Sequence, residues 1–179
     1  MAINYKKIGK RWKYLNDFVE DENGNYKYVG RVYRLLEEGT TLRREITVLW
    51  LLFAAALVCH LAAGCLPVSG MLGTFYVVLP YSFVIFGLGF WLWALTKLME
   101  GRREMREYIY NSYTRLPMIA KSTALAAAIT ILGEIIYILI HGFEGKAALT
   151  LLLLVLLALP LLFALLTWRR AEKQVWKAQ

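Results

Sequence analysis

From residue 46 to residue 96 the chain contains no Asp, Glu, Lys or Arg. A soluble domain of this size would have no core large enough to enclose such a run, and the later Leu151–Leu157 stretch and its flanks would compete for the same interior. The chain also has only two Cys, two His and four Pro. Cys59 and Cys65 lie about 9 Å apart along a helix axis, too far for a disulfide within one helix. Two histidines are too few for a rich active site. There is no HExxH, GxSxG, CxxC or Walker sequence, and no pair of aspartates four apart within an apolar stretch. Ser69, Ser82 and Ser122 have no base beside them in sequence. An enzyme is not expected, and no pattern calls for a cofactor or a metal. The N-terminal stretch has no apolar core before Ile46, so a cleavable signal peptide is not expected either.

What is present is apolar sequence in lengths that match a bilayer. Spans are expected at about 46–66, 74–98, 119–141 and 147–168. Each is near the roughly 20 residues that cross a hydrocarbon core of about 30 Å. Backbone groups in lipid must be satisfied within the segment, so these spans must be helices. Pro67, Gly70 and Gly73 break the first pair, and Gly142–Lys146 the second. Both connections are short enough for tight antiparallel hairpins. The expected fold is therefore an all-α integral membrane bundle of four transmembrane helices.

Charge sets the expected direction. Of 21 Lys and Arg, ten precede Ile46, six lie from Lys97 to Lys121, and four follow Trp168. Only Lys146 falls in an opposite turn. The positive-inside rule then puts both termini and the central loop in the cytoplasm, and a prokaryotic plasma membrane is the expected location. The net charge of +8 is accounted for by topology and by attraction to anionic lipid headgroups, with no need for nucleic acid. Trp50, Trp91, Trp93 and Trp168 fall near the basic ends, and Tyr76, Tyr81 and Tyr137 toward the other side, as interfacial rings do. Trp91 and Trp93 fit equally well between helices.

Three segments lie outside the spans: residues 1–45, the loop 99–118 and the tail 169–179. In the first, Asn23-Gly24 lies between runs of β-forming residues, and a hairpin of about Lys13–Val19 with Tyr26–Tyr33 is expected at the cytoplasmic surface. A two-stranded hairpin is marginal alone. It must rest on the membrane, on the central loop, or on a partner, for which Trp12, Tyr14, Tyr26 and Tyr28 form an aromatic platform. In the central loop, Met105, Tyr108 and Ile109 recur at helical spacing and predict a short amphipathic helix. Arg102, Arg103 and Arg106, with Arg169 and Arg170, are expected to contact anionic lipid or a protein partner.

Inside the spans Glu134 is the singular residue. A carboxylate at that depth must be neutral, paired or reached by water, and intramembrane ionisable residues mark sites by default. Thr130, Glu134, Tyr137 and His141 share one helical face. That stripe is an ion path, a binding wall or a helix interface. His60 is a second candidate toward the same side, and it shares a face with Gly64. With Glu134 and His141 it offers metal-binding side chains, though at no recognised metal spacing. Ala120, Ala124 and Ala128 form a small-residue seam, which makes the third span central. The fourth, rich in leucine, reads as largely lipid-facing. Pro160 and Pro80 are expected to bend their helices.

These features favour an accessory or structural membrane protein that binds a protein partner or itself. The alternative is a homo-oligomeric channel or transporter for a proton, cation or small solute that uses the Glu/His stripe.

Overall fold

A computed structural model describes residues 18–20, 25–35, 42–68, 70, 73–100, 105–173 and 176–178. Four of its helices are long and apolar enough to cross a membrane. They are α1 (Leu42–Gly64), α2 (Phe75–Glu100), α4 (Leu116–His141) and α5 (Ala147–Lys173), with a two-turn helix, α3 (Glu107–Tyr113), between α2 and α4. All four long helices coincide with the expected spans and extend past four of their eight ends. Leu42–Glu45 adds a charged turn to α1, and Arg169–Lys173 adds one to α5. Backbone hydrogen bonding continues beyond the apolar stretch because a helix terminus in the headgroup region still gains from capping its own carbonyls. Pro117 stands in the first turn of α4, where its missing N–H leaves no bond unmade. The turn after α4 takes positive φ at Gly142, Glu144 and Gly145, which reverses the chain directly into α5.

The helices form a ring. α4 packs against α2 and α5, α5 also packs against α1, and the α1–α2 seam is the lightest. The small-residue expectation for α4 is met in kind, with one shift. Ala120 and Ala124 are buried, but the helix continues the seam through Ala127 rather than Ala128, since 3.6 residues per turn rotates a strict four-residue repeat off the interface. The reading of α5 as lipid-facing over much of its circumference holds, but one stripe of it packs inward. A stripe of Thr150, Leu153, Leu157, Pro160, Ala164, Thr167 and Ala171 is buried along its whole length, against both α1 and α4. Only the complementary face, with Leu151, Leu152, Val155 and Leu162, is exposed. Uniform leucine composition hides which face packs. Both Pro80 and Pro160 lie within continuous helices and are buried.

The interior is filled at every level. At the basic half, Leu49, Phe53, Val84, Leu88, Trp91 and Leu95 pack with Ala124, Ala127 and Ala164. At the other half, Ala63, Val68, Val77, Leu153 and Leu157 close the bundle. Trp91 is completely enclosed with its ring edge-on to Phe53 at 5.8 Å, whereas Trp93, two residues on, is 42% exposed. The alternative reading of these two tryptophans thus divides: one packs between helices and the other stands outside.

Five short strands lie outside the bundle. β1 (Phe18–Glu20) pairs antiparallel with β2 (Tyr26–Tyr28), with Phe18 opposite Tyr28 and Glu20 opposite Tyr26. The expected hairpin is present but shorter at its second strand, and residues 13–17 of its first strand lie outside the described residues. β3 (Val32–Leu35) leaves the hairpin and becomes the middle strand of a separate sheet. Its neighbours are β4 (Met105–Arg106), from the central loop, and β5 (Trp176–Ala178), from the C-terminal tail. A strand with two partners satisfies both its edges, which a hairpin end cannot do. The same pairing diverts Met105 and Arg106 from the amphipathic helix expected there. That helix begins only at Glu107, with Ile109 and Tyr113 buried beneath it. The N-terminal segment, the central loop and the C-terminal tail therefore meet at one end of the bundle, where Arg31, Arg106, Arg169 and Arg170 also lie among the described residues.

Candidate functional site

The hydroxyls within the helices are largely satisfied locally. Thr130 Oγ1 donates to the Ala126 carbonyl at 2.9 Å, Thr123 Oγ1 to Ile119 at 2.8 Å and Thr150 Oγ1 to Lys146 at 3.1 Å. Such back-bonding consumes the donor within its own helix. Glu134 stands apart. Its side chain is fully buried, and neither carboxyl oxygen has a hydrogen-bond partner among the described residues. It lies against Gly70, in the connection between α1 and α2, so closely that a Cβ at Gly70 would come within 2.5 Å of Oε2 and 2.7 Å of Oε1. A cleft of about 10 Å³ borders it, with room for about one water. Tyr137, Glu144, Lys146 and Thr150 also line that cleft. Lys146 Nζ donates to the Pro67 carbonyl at 2.9 Å and so ties the α4–α5 turn to the α1–α2 connection above the carboxyl.

The four-residue stripe divides between environments. Thr130 and Glu134 are buried, Tyr137 is half-buried and His141 is exposed. Tyr137 donates its hydroxyl to Glu144 Oε1 at 2.7 Å and stacks on the His141 ring at 4.4 Å. Glu134 and His141 thus share a helix without sharing a surroundings, and no Glu/His path through the bundle is evident. Spacing placed the residues on one side of α4, but the width of that side covers both the interior and the rim.

His60 is buried in the α1–α2 seam, one turn before the end of α1. Its ring stacks on Tyr81 at 4.0 Å, and Tyr81 donates its hydroxyl to the His60 carbonyl at 2.6 Å. Gly64, one turn on, leaves the space that the Tyr81 hydroxyl fills. The shared face of His60 and Gly64 is thereby explained as the seat of one tyrosine. No three His, Cys, Asp or Glu side chains come together among the described residues. Cys65 is exposed and Cys59 half-buried, both as free thiols.

At the basic end, Arg106 lies over the Tyr28 ring at 5.3 Å. The Tyr28 hydroxyl accepts from the Glu107 backbone N–H at 3.0 Å. Tyr28 thus caps the start of α3, and Tyr33 stacks on Tyr110 at 3.8 Å. Arg170 pairs with Glu45 at 3.2 Å, linking the ends of α5 and α1, while Arg169 is exposed. The Tyr26 side chain, Trp12, Tyr14, Arg102 and Arg103 lie outside the described residues.

Two features were read from sequence only in part. Gly70 registered only as a chain break, although its missing side chain makes room for Glu134. The other is a lateral groove between α2 and α4, floored by Gly89 and walled by Phe86 and Phe90, with Arg115 at one end. In the sequence, Gly87 and Gly89 leave a groove between the bulky Phe83, Phe86, Phe90 and Trp91 of the second span, but the chain gives no neighbour for it.

Fold and surface together define an integral membrane protein of the polytopic, four-helix kind, in contact with lipid around its circumference. Comparison with protein-family models, curated proteins and solved structures returns no match.

Proposed function

We propose that this protein is an accessory membrane protein whose basic end docks a protein partner, with that end in the cytoplasm and facing anionic headgroups. The observation that carries the reading is the sheet in which β3 lies between β4 and β5. Three segments far apart in sequence are joined there into one ordered surface, on the end where Arg31, Arg106, Arg169 and Arg170 lie among the described residues. Such an end is built for recognition more than for anchoring, since loose basic tails would satisfy the positive-inside rule equally well. The filled interior supports the same reading, because a conduit needs a polar path and this bundle has packed aliphatic layers at both halves.

The test is the native mass of the particle released gently from its own membrane, with the bound proteins and lipids identified. A defined hetero-complex that is lost when residues 174–179 are removed supports the proposal. A monomer or a homo-oligomer alone overturns it.

One observation favours a second reading, a homo-oligomeric channel or transporter. The Glu134 carboxyl is buried without a hydrogen-bond partner among the described residues, as a proton- or cation-binding group would be. A pH-dependent flux in proteoliposomes that Glu134→Gln abolishes, with the protein still folded, would establish that reading in place of the first.

A further inference from the structure

We infer that the groove between α2 and α4 holds one anionic phospholipid, its phosphate on Arg115 and an acyl chain laid along Gly89 between Phe86 and Phe90. The groove has two continuous parts. The upper part, about 770 Å³, runs from Arg115, Met118 and Trp93 to Phe86 and Phe90. The lower part, about 320 Å³, continues past the same two phenylalanines to Pro80 and Ile129. At 1.5 Å per residue, Arg115 to Ile129 and Trp93 to Pro80 each span about 20 Å. One leaflet of hydrocarbon is about 15 Å deep. The groove therefore begins at headgroup level and descends the depth of a single leaflet, which is the shape of one lipid rather than of a crossing helix.

Its chemistry changes along that length in the same sense. Below Arg115 the walls are almost wholly apolar. Ser122, the exposed hydroxyl there, already donates to Ile119 at 2.9 Å and needs no ligand. At the top, the exposed Arg115 side chain has no ion pair or hydrogen bond among the described residues. The first turn of α4, whose Met118 lines the groove, adds the partial positive charge of a helix start. An exposed guanidinium binds a phosphate oxygen by charge-assisted hydrogen bonds. Trp93, partly exposed at the same level, suits the glycerol region where indoles concentrate. Gly89 keeps the floor open: nothing lies within 4 Å of a Cβ added there, in contrast to Gly87, where Thr123 of α4 closes on the backbone.

The full-length protein, reconstituted in nanodiscs of equimolar phosphatidylglycerol and phosphatidylcholine and then released into mild detergent, is examined by native mass spectrometry. The expected result is one retained phosphatidylglycerol per chain, favoured at least about tenfold over phosphatidylcholine. Arg115→Gln should erase that preference, and Gly89→Leu should erase retention while leaving the thermal midpoint unchanged. Arg43→Gln, a loss of charge on the exposed start of α1 and off the groove, should change neither. Equal retention of the two lipids overturns the inference, as does loss of the preference in Arg43→Gln. A retained second copy of the chain that Gly89→Leu releases would show the groove to be a protein interface instead.

Discussion

Gly133 of α4 rests on the backbone carbonyl of Tyr76 in α2, the carbonyl left without a helical donor by Pro80 four residues later. A Cβ at position 133 would approach that oxygen to 2.9 Å. Proline supplies no N–H to the residue four before it, so the carbonyl needs other company in lipid. The glycine lets α4 pack its backbone closely against that carbonyl. Gly133→Ala should therefore lower stability by about 1–3 kcal/mol, because backbone cannot rotate away as a side chain can. Thermal unfolding in detergent reads this, and an unchanged midpoint would refute the assignment.

Next along the helix, Glu134 and Gly70 form a second tight pair. Gly70→Ala should cost less than Gly133→Ala, about 1 kcal/mol, because the end of the Glu134 side chain can shift where a backbone carbonyl cannot. Glu134→Ala should remove most of that penalty. A double-mutant cycle on the two positions should give a coupling of at least about 0.5 kcal/mol. Strict additivity would mean that the connection shifts freely over the carboxyl.

The two tryptophans of α2 should behave oppositely. Trp91 is completely buried and Trp93 faces outward. Trp91→Ala should cost about 3–5 kcal/mol, whereas Trp93→Ala should stay within about 0.5 kcal/mol. Denaturation of the two variants in the same detergent checks the contrast, and comparable losses would contradict the packing described for Trp91.

The terminal sheet places Arg34 opposite Lys177. In a background with Cys59 and Cys65 replaced by alanine, Arg34→Cys combined with Lys177→Cys should cross-link under mild oxidation, joining positions 143 residues apart in the chain. A control pair, Arg34→Cys with Glu144→Cys at the far end of the bundle, should not. Absence of the first cross-link, or equal yield from the second pair, would dissolve the shared end on which the proposed docking surface depends.

Much of the fold was legible because lipid imposes a simple rule. A charge-free stretch of about 20 residues has only one way to satisfy its backbone, so four helices at Ile46, Thr74, Ile119 and Ala147 could be read within a few residues of their ends. The alanines of α4 announced a close interface, and Asn23-Gly24 announced the β1–β2 hairpin. The packing face of α5 was not legible. A helix that is leucine on every side carries no amphipathic signal, since lipid and protein interior are equally apolar. The third strand was also hidden, because β3 takes its partners from residues 105–106 and 176–178, and no local pattern records a pairing across that distance.

The candidate site divides in the same way. Glu134 stood out at once as a carboxyl in an apolar run. That it would be buried beneath Gly70, while His141 on the same helical side reached the exposed rim, depended on where the α1–α2 connection crosses the bundle. Likewise Phe86, Gly89 and Phe90 marked a recess on α2, but only the placement of α4 brought Arg115 to its mouth. The sequence by itself determined the number of spans, their helical form and the clustering of charge, because each follows from backbone and side-chain solvation along the chain. The tertiary structure alone decided which faces meet, which polar groups are left unpartnered and where a groove remains, because those depend on steric fit between helices that no single segment encodes.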